Sequence, residues 1–388
     1  MEDVRGSNLL RAVAVLVVST LALAGCGSRS STAAHSGVAK VMHGQVVHSL
    51  HKPASVDVYR ADAASDLSPV VRHDPALVYV PNSLSNTVDV ISQKTMKVIR
   101  RFPTGALPQH VTPSYDLKTL YVDNDEGNSL TPINPRTGRP GRPIPVADPY
   151  NLYFTPNGRY AIVVAERLQR LDFSNPHTMA LEHALSVPQC AGVDHMDFSA
   201  NGRYAYASCE FSGAMIVVDL RDQRVIQTLR LRGGDAMPQD VKLSPDGRTL
   251  YVADMRNNGV WELGMDPQLR VERFLPTGAG AHGLYPSRDA ELMYVSNRMA
   301  GTISVVSFQT RQVVKTWRLP APASPDMGGV SADGRTLWLS GRYNNVVYAI
   351  DTSTGRLRAA IPVGDGPHGL CVWPQPGHYS LGHTGILR

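Results

Sequence analysis

No stretch of this chain shows a convincing 3.6-residue apolar period, which excludes a predominantly helical fold. Charge is also scarce. Asp, Glu, Lys and Arg make up 18% of the 388 residues, whereas 33 Gly and 28 Pro supply turn formers. A disordered chain would carry more charge and fewer than the 43% apolar residues found here, so a β-rich, loop-dense protein with a large core remains. The net charge of +5 is spread over single arginines in turns, with no dense basic run, and nucleic acid is not expected as a partner. The four cysteines form no C-x-x-C or C-x-x-C-H motif, so neither a structural zinc site nor covalent haem attachment is indicated. There is no G-x-G-x-x-G, P-loop, H-E-x-x-H or EF-hand loop. "CEFSG" (209–213) lacks the first Gly of a nucleophile elbow, and Asn128-Ser-Leu fails the glycosylation pattern.

The N-terminus stands apart. "AVAVLVVSTLALA" (12–24) is of signal-peptide length, short for a membrane span, and no other run is apolar enough to cross a membrane. It ends in "LAGC", which resembles a bacterial lipobox, and polar "GSRSSTAAHSG" follows. The expectation is a signal peptide over 1–25 and a lipidated Cys26 whose acyl chains tether the protein to a bacterial membrane, facing the extracytoplasmic side. Residues 26–73 then read as tether and lead-in, with His43, His48, His51 and His73 solvated. An exported chain meets an oxidising compartment. Cys190 and Cys209 flank one predicted hairpin and are placed to form a disulfide, leaving Cys371 as a buried small residue.

The rest of the chain repeats. "PQHVTPSYDLKTLYV" (108–122) returns as "PQDVKLSPDGRTLYV" (238–252), and further copies begin near 149, 193, 281, 324 and 367. A Ser or Thr precedes each turn at 114, 155, 199, 244, 287 and 331, a period near 43 residues. Each unit holds about four strands: a short inner one, a turn such as P-D-G, an apolar second, an Asn/Gly turn, a third, and an alternating, more polar outer strand. That is one propeller blade. The segment 76–105 lacks an inner strand, and "GLCVW" (369–373) is an inner strand alone, so the two ends share one blade. The expected fold is all-β: a seven-bladed β-propeller of four-stranded antiparallel blades over 74–377, with a C-terminal tail at 378–388 packing over the seam.

"LVYVPNSLSNTVDVI", "LYVADMRNNGVWEL" and "MYVSNRMAGTISVVS" resemble the YVTN-type (YncE-like) propeller repeats of bacterial exported proteins. The resemblance is specific for fold and poor for function. It implies a range from haem d1-binding domains to gluconolactonase-like hydrolases and pure binding modules. The blade at 149–187 departs from the pattern, with "ERLQ" where an Asn-type turn is expected, and an altered loop is anticipated there.

Residues at the start of each inner strand crowd one channel mouth, the default ligand site of such a fold. One column reads Gln109, Tyr150, Asp194, Gln239, His282, Asp326, His368. The next reads His110, Asn151, His195, Asp240, Gly283, Met327, Gly369. His or Asp fills seven of these fourteen places, far above their share of the chain. The ends of the second strands add Asn82, Asn124, Asp125, Glu166, Glu210, Asp254, Asn297, Arg298 and Arg342 to the same face. Three readings stay open. The polar ring can tie blades together. It can bind a small molecule or a partner protein, with Arg298 and Arg342 holding a carboxylate or phosphate. Or His110, His195, His282 and His368 can hold a haem or divalent metal. A lactonase-like metal-dependent hydrolase using Glu166, Asn151, Asp194 and Asp240 fits less well. The primary expectation is a non-enzymatic binding or scaffold module with no catalytic residue assigned.

Overall fold

The structure, a computed structural model, describes residues 57–388 apart from Pro267. Cys26 and His43, His48 and His51 lie outside the described residues. Strands arrange in seven sheets around a ring. Six blades are contiguous in sequence, with inner strands Pro108–Pro113, Asn151–Phe154, Val193–Phe198, Pro238–Leu243, Ala281–Pro286 and Pro325–Val330; they are called blades two to seven. Blade one is composite. Its inner strand, Cys371–Trp373, pairs antiparallel with Leu77–Asn82, placing Trp373 opposite Leu77 and Cys371 opposite Tyr79. Gln93 reinforces the seam by donating from Nε2 to the carbonyls of both Leu77 (2.9 Å) and Trp373 (2.8 Å).

Burial follows the order of strands within a blade. Inner strands are buried along nearly their whole length, with Pro286 half-buried, whereas the outer strand Arg224–Arg230 alternates exposed and half-buried residues. In blade two the outer strand is broken into Arg139–Pro140 and Ile144–Pro145. Pro140, Pro143 and Pro145 cannot donate to a ladder, a defect tolerated only at a sheet edge.

The periodic Ser/Thr has a structural reason. In each of the six contiguous blades its hydroxyl donates to the Asp or Asn two residues on and accepts the backbone N–H five residues on. Ser244, for example, bonds Asp246 Oδ1 at 2.6 Å and Thr249 N at 2.9 Å. The turn then needs a left-handed residue, supplied by Gly158, Gly202, Gly247 and Gly334, with Leu117 and Ala290 as exceptions.

Lead-in and tail share the face formed by these turns. The lead-in crosses blades five to seven: Val58 N donates to Pro245 O at 2.9 Å, Asp62 pairs with Arg288 at 2.5 Å, and Ser65 N reaches Ala332 O at 2.7 Å. The tail does not lie over the seam alone. It crosses blades two to four, where Ser380 N donates to Tyr115 O, Phe154 N donates to Leu381 O, and Arg388 bonds Asp197 Oδ1 at 3.0 Å. Leu381 and Ile386 complete the core of blades three and four, and Leu387 that of the seam. Cys190 and Cys209 are disulfide-bonded, and Cys371 is a free buried thiol.

Arg288 joins these pieces. Its buried guanidinium donates to Asp62, to Ser331 O (3.2 Å), to Val330 O (2.6 Å) and to Gln375 Oε1. Breaking one partner of a buried ion pair strands the other. Arg288→Ala is therefore expected to lower unfolding free energy by about 3–5 kcal/mol. Urea melts of Arg288→Ala, Asp62→Ala and the double variant check this, and strictly additive losses would refute the coupling.

Candidate functional site

A β-bulge places the two sequence columns on the channel axis. In blades two, four, five, six and seven the inner strand carries one extra residue against its neighbour. The bulges fall at Gln109–His110, Asp194–His195, Gln239–Asp240, His282–Gly283 and Asp326–Met327. A bulge bends the strand and re-aims its side chains. In three blades a serine on the second strand pins the bulge: Ser208 Oγ accepts from His195 N (3.1 Å), Ser296 Oγ from Gly283 N (2.8 Å) and Ser340 Oγ from Met327 N (3.2 Å). Blade three pairs without a bulge, with Asn151 opposite Val164. Gly283 and Gly369 leave room for neighbours, since a Cβ there would meet Tyr285 Oη at 2.1 Å and His110 Cδ2 at 2.0 Å.

The four histidines proposed from the sequence meet at the axis. His110 lies 5.6 Å from His195 and 4.9 Å from His368, and His282 lies 6.2 Å from His368, between ring centroids. A fifth, His383, comes from the tail and sits 4.0 Å from His110 and 5.5 Å from His195. Sequence reading missed it; its signal was a histidine in "LGHTG". Gly382 lets the tail approach, because a Cβ there would lie 2.6 Å from Leu152 O. Lys242 was also missed. It follows Asp240 by two residues, on the same strand face, and its buried ammonium bonds Asp240 at 3.0 Å.

Burial pushes all five imidazoles below their usual range, His195 to about 3, so they are neutral at pH 7. Partners set three tautomers. His110 Nδ1 faces Tyr150 O at 2.8 Å and carries its proton, because a carbonyl only accepts. Asn151 Nδ2 donates to His195 Nδ1 at 3.1 Å, leaving the proton on Nε2, 3.2 Å from Asp194 Oδ1. Arg298 Nη2 donates to His282 Nε2 at 2.5 Å, leaving the proton on Nδ1, 3.1 Å from Asp326 Oδ1.

Asp240 serves the blade-tying reading. Its carboxylate accepts Leu284 N from the next blade at 2.8 Å as well as Lys242. His282, Asp326 and His368 bring one ligand atom each within 4.8 Å of one another. Arg298 already occupies that set, donating to Asp326 Oδ1 from Nε (2.8 Å) and Nη2 (2.6 Å). As arranged, these residues fit a guanidinium–carboxylate pair and do not fit a metal ion, which the adjacent cation would repel. Deeper in the channel, beside Val111, Gly329, Cys371 and Gly385, a cavity of about 20 Å³ remains, space for one water rather than a haem.

Above this ring sit the loops joining second and third strands. The strand registers leave four loop residues in every blade: 83–86, 125–128, 166–169, 210–213, 255–258, 298–301 and 342–345. The last of each is left-handed, Asn or Gly in six blades and Gln169 in blade three. "ERLQ" thus keeps the ordinary loop, contrary to expectation. The first loop residues run around the mouth as Ser83, Asp125, Glu166, Glu210, Met255, Arg298, Arg342. Acids occupy three consecutive blades and arginines two on the other side.

Asp125 is bound by Arg167 at 3.3 Å. Glu166 and Glu210 form no contact ion pair among the described residues, although Arg167 and Arg298 act on them from farther off. Burial and then Glu210 push the Glu166 carboxyl up to about 7, and burial raises Glu210. Asp194, buried below them, is raised well above the carboxylate range by burial and then by Glu210 and Glu166. Across the mouth, Arg342 donates to Ser83 Oγ (3.2 Å) and Gly366 O (3.3 Å) and pairs with no carboxylate among the described residues.

Similar proteins share the architecture. A 6-phosphogluconolactonase of Erwinia tasmaniensis is 24% identical over 271 residues, 63% of this chain and 81% of that one. Hydrazine synthase of Kuenenia stuttgartiensis superposes with a TM-score of 0.63 at 16% identity, covering 80% of this chain and 99% of that one. The dihydro-heme d1 dehydrogenase NirN gives 0.58 at 14% identity, covering 78% and 75%. At these identities the structural likeness concerns the fold alone. The description YNCE-like beta-propeller matches residues 50–376, so the chain belongs to the YNCE-like β-propeller family.

Proposed function

We propose that the protein is a membrane-tethered, extracytoplasmic binding module that takes a small charged molecule at the loop-face mouth of its channel. One observation supports this most: Glu166, Glu210 and Arg342 are ionisable, half-buried and in no ion pair among the described residues, and they ring a mouth whose far end is plugged by the tail. Deeper on the axis, Lys242 answers Asp240 and Arg298 answers Asp326. A blind cup with low-dielectric walls also concentrates field at its opening.

The lipid tether rests on "LAGC" and its apolar lead. Cys26→Ser in the full chain is expected to move the protein from the membrane to the soluble fraction and to abolish radiolabelled-palmitate incorporation. Unchanged labelling would reject the tether.

Binding is tested by thermal shift on the detergent-solubilised full chain with a library of small organic acids and amines. Saturable stabilisation is expected. Loss of one charged hydrogen-bond partner is worth about 1.5–3 kcal/mol, so Arg342→Met or Glu210→Gln should weaken the responding ligands roughly ten- to a hundredfold. Ligands that bind both variants as tightly as the parent would place the site elsewhere.

A second reading has one specific observation behind it. Glu166, with its carboxyl near 7, stands where a water could meet a substrate, and the chain is similar to 6-phosphogluconolactonases. A deprotonated Glu166 would take the proton from a water attacking the lactone carbonyl and return it to the ring oxygen as the acyl C–O bond breaks, while Arg342 held the phosphate. The base acts when ionised, so the rate should rise as pH rises through about 7 and vanish in Glu166→Gln. Hydrolysis of 6-phosphoglucono-δ-lactone at the buffer rate would dismiss it.

A further inference from the structure

We infer that the molecule taken at the mouth is a small zwitterion, with an amine or guanidine on the Glu166–Glu210–Asp194 side and a carboxylate or phosphate on Arg342. The inference rests on the binding-module reading and names its ligand class.

Three observations converge. On the acidic side, Asp194 is 1% exposed; its polar neighbours are the Tyr150 phenol and the neutral His195, and neither carries a countercharge. Glu166 and Glu210 stand above it without a contact ion pair among the described residues. Burial and mutual repulsion hold protons on these carboxyls, and a cation brought among them would favour their ionised forms.

The geometry selects the kind of cation. The described His, Cys, Asp and Glu residues that gather three ligand atoms within 4.8 Å are His282, Asp326 and His368, already bridged by Arg298, and the acidic arc is not among them. Its carboxylates do not bring three ligand atoms within 4.8 Å of one another, so as arranged they leave a gap rather than a compact cage for a bare divalent ion. An alkylammonium held by two of them and water, or a planar guanidinium with its five spread donors, spans such a gap.

The opposite side offers a fixed anion partner. Arg298 is bound to Asp326 and acts on Glu210 only at longer range, leaving Arg342 as the cation on this ring that forms no ion pair among the described residues. Tyr150 lies within reach of both sides. Burial and the charges of Asp194, Glu210 and Glu166 raise its phenol, and Arg342 opposes them. Tyr150 thus stands in the field of both halves of the mouth.

Calorimetry on the detergent-solubilised full chain tests this with L-arginine and L-lysine as zwitterions. Agmatine and cadaverine keep the cation and lose the carboxylate; glutarate has no cation. At least one zwitterion is expected to bind about tenfold or more tighter than its decarboxylated analogue and than glutarate. Arg342→Met should erase its advantage over the amine, and Glu210→Gln its advantage over glutarate. If an amine or glutarate alone binds as tightly and remains sensitive to these substitutions, the binding module stands and the zwitterion falls. If no compound binds and the organic acid and amine library also gives no shift, both fall.

Discussion

Polar side chains on the axis of this ring are cut off from water, so each must be satisfied by the neighbouring blade. An unsatisfied buried polar group costs about 1–3 kcal/mol, which makes the partners part of the fold. Asp197 accepts Leu243 N, Asp240 accepts Leu284 N, Tyr153 accepts Met196 N and Tyr285 accepts Gly328 N, each across a blade boundary. At Asp240 the inner-strand bulge makes this possible, because it turns two successive residues toward the channel where a regular strand would offer one. Ring closure, bulge and polar ring are one device: losing the bulge would strand the partner on the next blade.

The same constraint explains the two chain ends. A channel open at the turn face would admit water to Lys242, Asp240 and the histidines. The tail fills that end with His383, Leu381 and Ile386, and the lead-in seals the remaining blades through Tyr59, whose hydroxyl bonds Leu243 O at 2.6 Å. Tyr59 and Arg388 then meet, with the guanidinium 5.3 Å from the ring centroid, so the seal closes on itself. Neutral imidazoles suit this interior better than charged groups, since they fill space and bond through either nitrogen without a charge to desolvate.

The blade count, the composite blade and the channel-facing columns were legible because a repeat makes every copy a control for the others. His110 and Asp240 fall in one slot of a fixed frame, and the frame locates the mouth. His383 was not legible: it lies outside the repeat, and only packing shows that Gly382 carries it inward. Lys242 was hidden for a different reason. Two residues below the column it reads as an ordinary exposed strand residue, until Asp240 is seen to pair with it. Arg298 was read as a group for an external anion, yet it binds Asp326, because column residues of one blade meet loop residues of its neighbour. Sequence spacing within a blade carries no such information.

That exchange bears on what the site can be. His282, Asp326 and His368 gather in space as a metal set would, yet a guanidinium supplies the positive charge from within the chain, fixed by three hydrogen bonds. The protein has thus neutralised this buried carboxylate without an external ion. It has not done so one ring higher, where Glu166, Glu210 and Arg342 keep their charges apart around the opening. Partly solvated charges cost less to leave unpaired than buried ones, and their fields reach an arriving molecule before contact. Opposite signs held apart by a rigid ring cannot collapse onto each other, so the separation persists until something that carries both charges bridges it.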